Sequence, residues 1–339
     1  MHLKMRKMII MVAVACLLFI GAGAPSFALE LKVGLILPGT VTDFGWDYAP
    51  IIALNEIEAK MANVVVDHRY AEIVSPADAE GVIMDLVASG YNWIWAWGFQ
   101  YKDAVDAVSK KVGKDIFFTI NEGIQSDIVS GRIDIIEEYP EGTSYLAGII
   151  AGAVSKKGKV GGVHGMANVI MEMCEAGFEA GAKAYNPRAT YKQIYVGAWG
   201  DPEGGRRAAE ILLKTGIDVI FCIGDGTSLG VIEAIRQARA QGKDVHYIGC
   251  YVDQSMLAPG NVLTSVKYDY SDILMQQAQD IIKGQFGKGG YTIELGNGIE
   301  LAPFYNFDGQ IPEKVKEMVA QVRRQIISGT LKVPSKFQK

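Results

Sequence analysis

Apolar and polar positions follow two alternating periods along this chain. Short β-branched or aromatic runs stop at glycines and polar turns, and each is followed by a stretch whose apolar residues recur three and four apart. Runs 31–37, 64–70, 91–97, 115–120 and 133–138 predict strands. Helices are expected from the loop after the first run to about Met61, from the turn at 75–78 to Ser89, and over 101–112. Such alternation implies parallel strands joined by right-handed crossovers. The pattern then restarts: helix 143–155, strand 159–163, helix 169–184, strand 191–198, helix 203–215, strand 218–223, helix 228–240 and strand 245–251. A strand at 262–267, a helix at 273–283, a strand pair around Gly296-Asn297-Gly298 and a helix at 313–327 complete it.

Two α/β units in tandem predict two doubly wound parallel-sheet lobes with a cleft between facing strand ends. We expect residues 29–139 with 253–287 in lobe 1 and 140–252 with 288–339 in lobe 2, joined by a multi-strand hinge. The clearest single stretch is Val219 to Gly230, a strand, a tight glycine turn and a helix start with Thr227 or Ser228 as N-cap. It places Asp225 at a cleft rim. Gly224, Gly226 and Gly230 have the outline of a dinucleotide fingerprint, but a plain strand-to-helix turn accounts for them better.

The N-terminus changes the picture of where the protein works. Lys4, Arg6 and Lys7, an apolar run from Met8 to about Ala24, and Ser26-Phe27-Ala28 form a secretory signal peptide, 1–28, cleaved before Leu29. Cys16 lacks the leading Leu of a lipoprotein site, so a soluble exported protein, periplasmic or otherwise extracytoplasmic, is expected. Losing those three cations takes the formal net charge from −5 to −8. Such acidity speaks against a nucleic-acid partner, which needs a basic face. Cys174, Cys222 and Cys250 fit no metal spacing; buried free thiols are expected, although Cys222 and Cys250 both end strands and leave one bridge open.

No catalytic set, metal motif or cofactor motif stands out. H-E-x-x-H and a P-loop lysine are absent, and His68, His164 and His246 stand alone. Residues at strand ends say more. Phe44 and Trp46 follow the first strand, Trp97 and Phe99 the third, and Trp199 precedes Gly200-Asp201-Pro202, whereas Trp93 and Trp95 read as core. Aromatic faces from both lobes suit a flat ring. Asp43, Asn121, Glu141, Asp201, Asp225, Asp253 and Lys267 are the polar candidates for ring N–H groups and hydroxyls. Asp201 before Pro202 also reads as a helix cap with an N1 proline.

These segments together resemble the basic membrane protein family, the purine-nucleoside-receptor type of ABC importer binding protein. The match runs through Thr42-Asp43-Phe44-Gly45-Trp46, Trp97-Gly98-Phe99, Glu141 to Gly148, Glu175 to Gly181, Trp199-Gly200-Asp201-Pro202, Gly224-Asp225-Gly226-Thr227, Val252-Asp253-Gln254 and Thr264 to Lys267. The resemblance implies a type I periplasmic-binding fold, no enzymatic activity, and an ABC permease as partner. It also implies that Phe44 and Trp199 stack on a base, that Asn121 replaces a family carboxylate, that Lys267 reaches the ligand, and that the Gly226 loop offers its backbone. Tyr251 stands where the family usually has a ribose-binding Asp, and Gly45 where Asn is common. A nucleobase or another heterocycle without ribose is therefore a serious alternative to a purine nucleoside. A ligand-presenting sensory subunit and, less well supported, an exported nucleoside-processing enzyme are the other classes left open.

Overall fold

Strands and helices alternate through residues 29–335, the part that the computed structural model describes. The expected signal peptide lies outside it. The first half holds β1 (Leu31–Ile36), α1 (Ala49–Lys60), β2 (Val65–Ala71), α2 (Ala79–Ala88), β3 (Trp93–Trp97), α3 (Lys102–Ser109), β4 (Phe117–Asn121) and β5 (Ile133–Tyr139). The second half runs α4 (Glu141–Val154), β6 (Lys159–His164), α5 (Val169–Tyr185), β7 (Thr190–Tyr195), α6 (Pro202–Lys214), β8 (Val219–Ile223), α7 (Asp225–Ala240), β9 (His246–Tyr251) and β10 (Val262–Tyr268). Then come α8 (Ser271–Ile282), β11 (Tyr291–Leu295), β12 (Gly298–Leu301) and α9 (Glu313–Ile327).

The strands form a curled, mainly parallel sheet in the order β2-β1-β3-β4-β5-β11-β12-β10-β9-β8-β6-β7. Its two ends are copies of one plan. Counted from β1 the first five strands lie in the order 2-1-3-4-5, and counted from β6 the last five do the same. Each half thus reverses its winding once, between β1 and β3 and between β6 and β8, and ligand crevices in open α/β sheets open at such points, beyond the strand carboxyl ends.

The late elements tie the halves together. Residues 253–287 do not travel as one block: β10 pairs in parallel with β9 of the second half, while α8 packs against α1 of the first. The strand pair expected around Asn297 is likewise shared out. Its β11 adds to β5, β12 runs antiparallel to β10, and the two also pair with each other at Glu294 and Leu295, so the sheet runs unbroken from one half to the other.

β3 is buried throughout, Trp93 to Trp97, as a central parallel strand covered on both faces should be. Helices α4 and α5 cross unusually closely. A Cβ on Gly181 would collide with the Tyr145 carbonyl, its carbon 2.8 Å away. Gly181→Ala is therefore expected to cost about 3 kcal/mol of unfolding free energy, read as a lowered urea midpoint. Cys174, Cys222 and Cys250 are buried and free, as the sequence suggests.

Candidate ligand site

A cavity of about 420 Å³ opens where the two winding reversals face each other. The first half contributes Asp43, Trp46 and Asp47 after β1, Phe99 and Gln100 after β3, and Glu122 after β4. From the second half come Asn168 after β6, Trp199 and Gly200 after β7, Asp225 and Gly226 at the start of α7, and Tyr251 at the end of β9. Three residues flanking these strand ends, Phe44, Glu122 and Tyr251, have φ of 54°, 57° and 71°. Non-glycine residues rarely adopt the left-handed region, and such strain concentrates at functional sites.

Helix α7 starts at Asp225, two residues before the expected Thr227 cap. The Thr227 hydroxyl is otherwise engaged: it accepts from the Asp201 N–H at 3.0 Å and donates to the Ala198 carbonyl at 3.0 Å. With Thr227 N–H on the Trp199 carbonyl at 2.9 Å, it fixes the loop that carries the indole. Asp201 caps α6 through Gly204 N–H at 2.9 Å with Pro202 behind it, as its sequence context predicts.

Asp225 also joins the halves. Its Oδ1 accepts the Trp46 N–H at 2.8 Å, and Asp43 turns its own loop by accepting the Gly45 N–H at 2.8 Å. A Cβ on Gly45 would stand 2.7 Å from Asp225 Cα, so this departure from the family pattern lets the loop dock on α7. Gln254, buried between them, donates to the Phe44 carbonyl at 3.0 Å and to Ser228 Oγ at 3.1 Å. Gly45→Ala should part these contacts and weaken ligand binding by roughly tenfold, measured by titration calorimetry.

Beneath Trp46 lies a buried network. Glu138 accepts from Asn121 Nδ2 at 2.8 Å and from the Tyr270 hydroxyl at 2.7 Å, with Trp46 Nε1 at 3.5 Å. Burial outweighs these hydrogen bonds and holds the Glu138 carboxyl above its usual range. Trp97 donates its Nε1–H to the Trp46 carbonyl at 3.3 Å.

The structure therefore brings together Asp43, Trp46, Trp199, Asp225, Gly226 and Tyr251 of the expected set. Trp97 and Asn121 are fully buried and support Trp46 from below. Phe44, Asp253 and Lys267 line a separate cavity of about 210 Å³ beside α1. There Asp253 accepts from the Tyr305 hydroxyl at 2.6 Å, and Lys267 faces Asp269 at 3.3 Å. Asp47, Glu122, Gln100 and Asn168 line the cavity beyond the residues expected from sequence, as does Phe99, an aromatic at a strand end. Asp47 and Glu122 each sit one residue beyond a chosen one, at strand ends rich in such groups.

The electrostatics are dominated by acids. Asp43, Asp47 and Asp225 are buried, with a carboxylate oxygen of each within 4.8 Å of the others. Burial raises Asp43 to about 6 against the backbone donors of its loop. Asp47 reaches about 8, through burial and the neighbouring charges of Asp225 and Asp43, and Asp225 about 7, through burial and Asp43. Burial and the charge of Glu138 push Glu122 well above the ordinary carboxylate range. Among the described residues no His or Cys lines this cavity.

The fold and its facing crevices are those of solute-binding proteins. A solute-binding protein of an ABC transporter system from Aeropyrum pernix K1 superposes with a TM-score of 0.80 at 19% identity, over 90% of this chain and 94% of its own. Another from Conexibacter woesei gives 0.75 at 25%, over 91% and 100%. The chain belongs to the PnrA-like family of ABC transporter substrate-binding proteins, whose model matches residues 30–336. Basic membrane protein A1 of Borrelia garinii subsp. bavariensis is 30% identical over 97% of this chain and 96% of its own. A purine-binding protein of Brucella abortus is 28% identical over 92% and 85%. Among the described residues no helix is long and apolar enough to cross a membrane.

Proposed function

We propose that this protein is exported and binds a purine nucleoside, a nucleobase or a related flat heterocycle in the cleft, without turning it over, and delivers it to a membrane permease. The observation that carries this reading is that both halves bring aromatic side chains to one cavity, Trp46 and Phe99 from the first and Trp199 from the second, among hydrogen-bond acceptors. Ring faces bind a base with little regard to its edge, and the acceptors select the edge. The purine-binding relative supports the ligand class. Tyr251, on the cleft wall in place of the usual ribose-binding acid, favours a ligand without ribose.

The motion we assign is a hinge. The halves, between which the chain crosses near 139–140 and again between β10 and α8, rock about the shared β11 and β12, and contacts to both sides of one ligand favour the closed form that a permease would read. Exposed apolar side chains line the groove that adjoins the cavity from both sides, Phe99 and Ile124 from the first half and Val169 from the second. Closure would bring these surfaces toward each other and remove them from water.

Native mass spectrometry of the purified mature protein, followed by extraction and a thermal-shift panel of bases and nucleosides, tests the reading. A retained or stabilising purine supports it. Turnover of a nucleoside, or silence across the panel with nothing retained, sinks it.

A further inference from the structure

Four carboxylates reach the cavity, from Asp43, Asp47, Asp225 and Glu122, and not one lysine, arginine or histidine lines it. The nearest cation in the adjoining groove, Lys102, is already 2.7 Å from Asp127. Some of the negative oxygen is used internally, by the Gly45 and Trp46 N–H groups on Asp43 and Asp225. Asp47 Oδ1 is different. It is buried, on a residue only 2% exposed, and accepts no N–H or hydroxyl; the side chain beside it is the Asp43 carboxyl. A buried acid whose side-chain neighbours are two more acids is costly to ionise, and folding alone gives no return for it.

We infer that the ligand binds as a cation: a flat nitrogen heterocycle whose N–H-bearing, positively charged edge meets Asp43, Asp47 and Asp225 while its faces lie against Trp199 and Phe99. This rests on the heterocycle reading above and adds the charge to it. The acids supply acceptors that a delocalised amidinium-type edge fills, and the rings attract the same positive charge through their faces. A divalent ion could use the acids but leaves the aromatic walls without a role.

The test uses matched pairs at pH 7.5, adenosine with 1-methyladenosine and quinaldine with 4-aminoquinaldine, the second member of each being cationic. Titration calorimetry on the mature protein should show the cation binding at least tenfold more tightly in one pair, with the preference lost in Asp47→Asn. Asp43→Asn, which keeps the acceptor for Gly45, should reduce it too. Empty Asp47→Asn should melt no lower than the parent, because an amide removes the cost of ionising a buried acid beside two others; a clear drop assigns Asp47 to structure and overturns the proposal. Equal or tighter binding of the neutral member overturns the charge and leaves the heterocycle reading intact. Failure of both members of both pairs takes the two down together. Stabilisation by calcium or magnesium alone, lost in Asp47→Asn, makes the acids a metal site and also overturns it.

Discussion

Trp199→Ala raises the Kd for the bound heterocycle by roughly 10–100-fold and leaves the melting point of the empty protein within a few degrees. The loop that presents the indole is held by its backbone and by Thr227, through the Ala198 and Trp199 carbonyls and the Asp201 N–H, so it survives loss of the ring. What disappears is one stacking face, worth about 1–3 kcal/mol per base. Phe44→Ala is the informative control. The family resemblance implies that Phe44 stacks on a base, yet its ring packs on Tyr48, 5.5 Å between centroids, and lines the cavity beside α1. Calorimetry on both variants should therefore show a large loss for Trp199 and a small one for Phe44. The reverse order would mean that the cleft described above is not where the ligand sits.

The difference between those two aromatics shows where sequence reasoning runs out. Architecture was legible because it depends on periods: the unbroken apolar run at β3 announces a buried parallel strand, and repetition of the α/β pattern announces the second half. Trp97 could have been placed by the same logic, since it shares a strand face with Trp93 and Trp95, which read as core. Loop residues have no such period. The left-handed turn at Phe44, φ 54°, sends its side chain away from the cleft while Trp46 and Asp47, two and three residues on, enter it. At the end of β4 the same thing happens over one residue: Asn121 points inward to Glu138, and Glu122, at φ 57°, turns into the cavity. Composition names the right loops, but a backbone outlier decides which side chain in each loop faces the ligand.

The loops also explain the departures from the family pattern. Gly45 is small because α7 arrives against it, and Trp46 then takes Asp225 as its backbone partner. Asp253, chosen as a ligand residue, faces Tyr305, while its neighbour Gln254 turns inward to fasten the Phe44 carbonyl to α7. One sequence signature thus contains an outer residue and an inner one that positions the site.

Stability of the empty protein should fall by about 1–2 kcal/mol between pH 6.5 and pH 8, a shift of several degrees in melting point. Asp47, at about 8, and Asp225, at about 7, hold their protons in the folded protein at pH values where an unfolded Asp, at 3.8, has lost them. A folded pKa raised in this way means that the native state binds the extra proton, so its stabilising effect is fully present only at low pH and drains away as pH climbs to the folded values. Asp43, at about 6, has finished contributing before pH 7. The groups facing the cluster, Glu72 beside Asp43 and Asp47, Tyr101 near Asp47, and Glu138 near Glu122, are acids or a phenol and supply no counter-cation. Histidines oppose this fall below pH 6.5. Burial lowers His164 to about 3 and shifts His246 downward, so both favour folding as pH rises toward 6.5 and add nothing above it. The decline above pH 6.5 therefore belongs to the cleft acids, and Asp47→Asn should flatten most of it. Thermal melts at half-unit steps from pH 5 to 8.5, with parent and variant side by side, decide the matter: parallel curves would show that the Asp47 carboxyl is ionised throughout and that its charge is balanced by a group other than a proton.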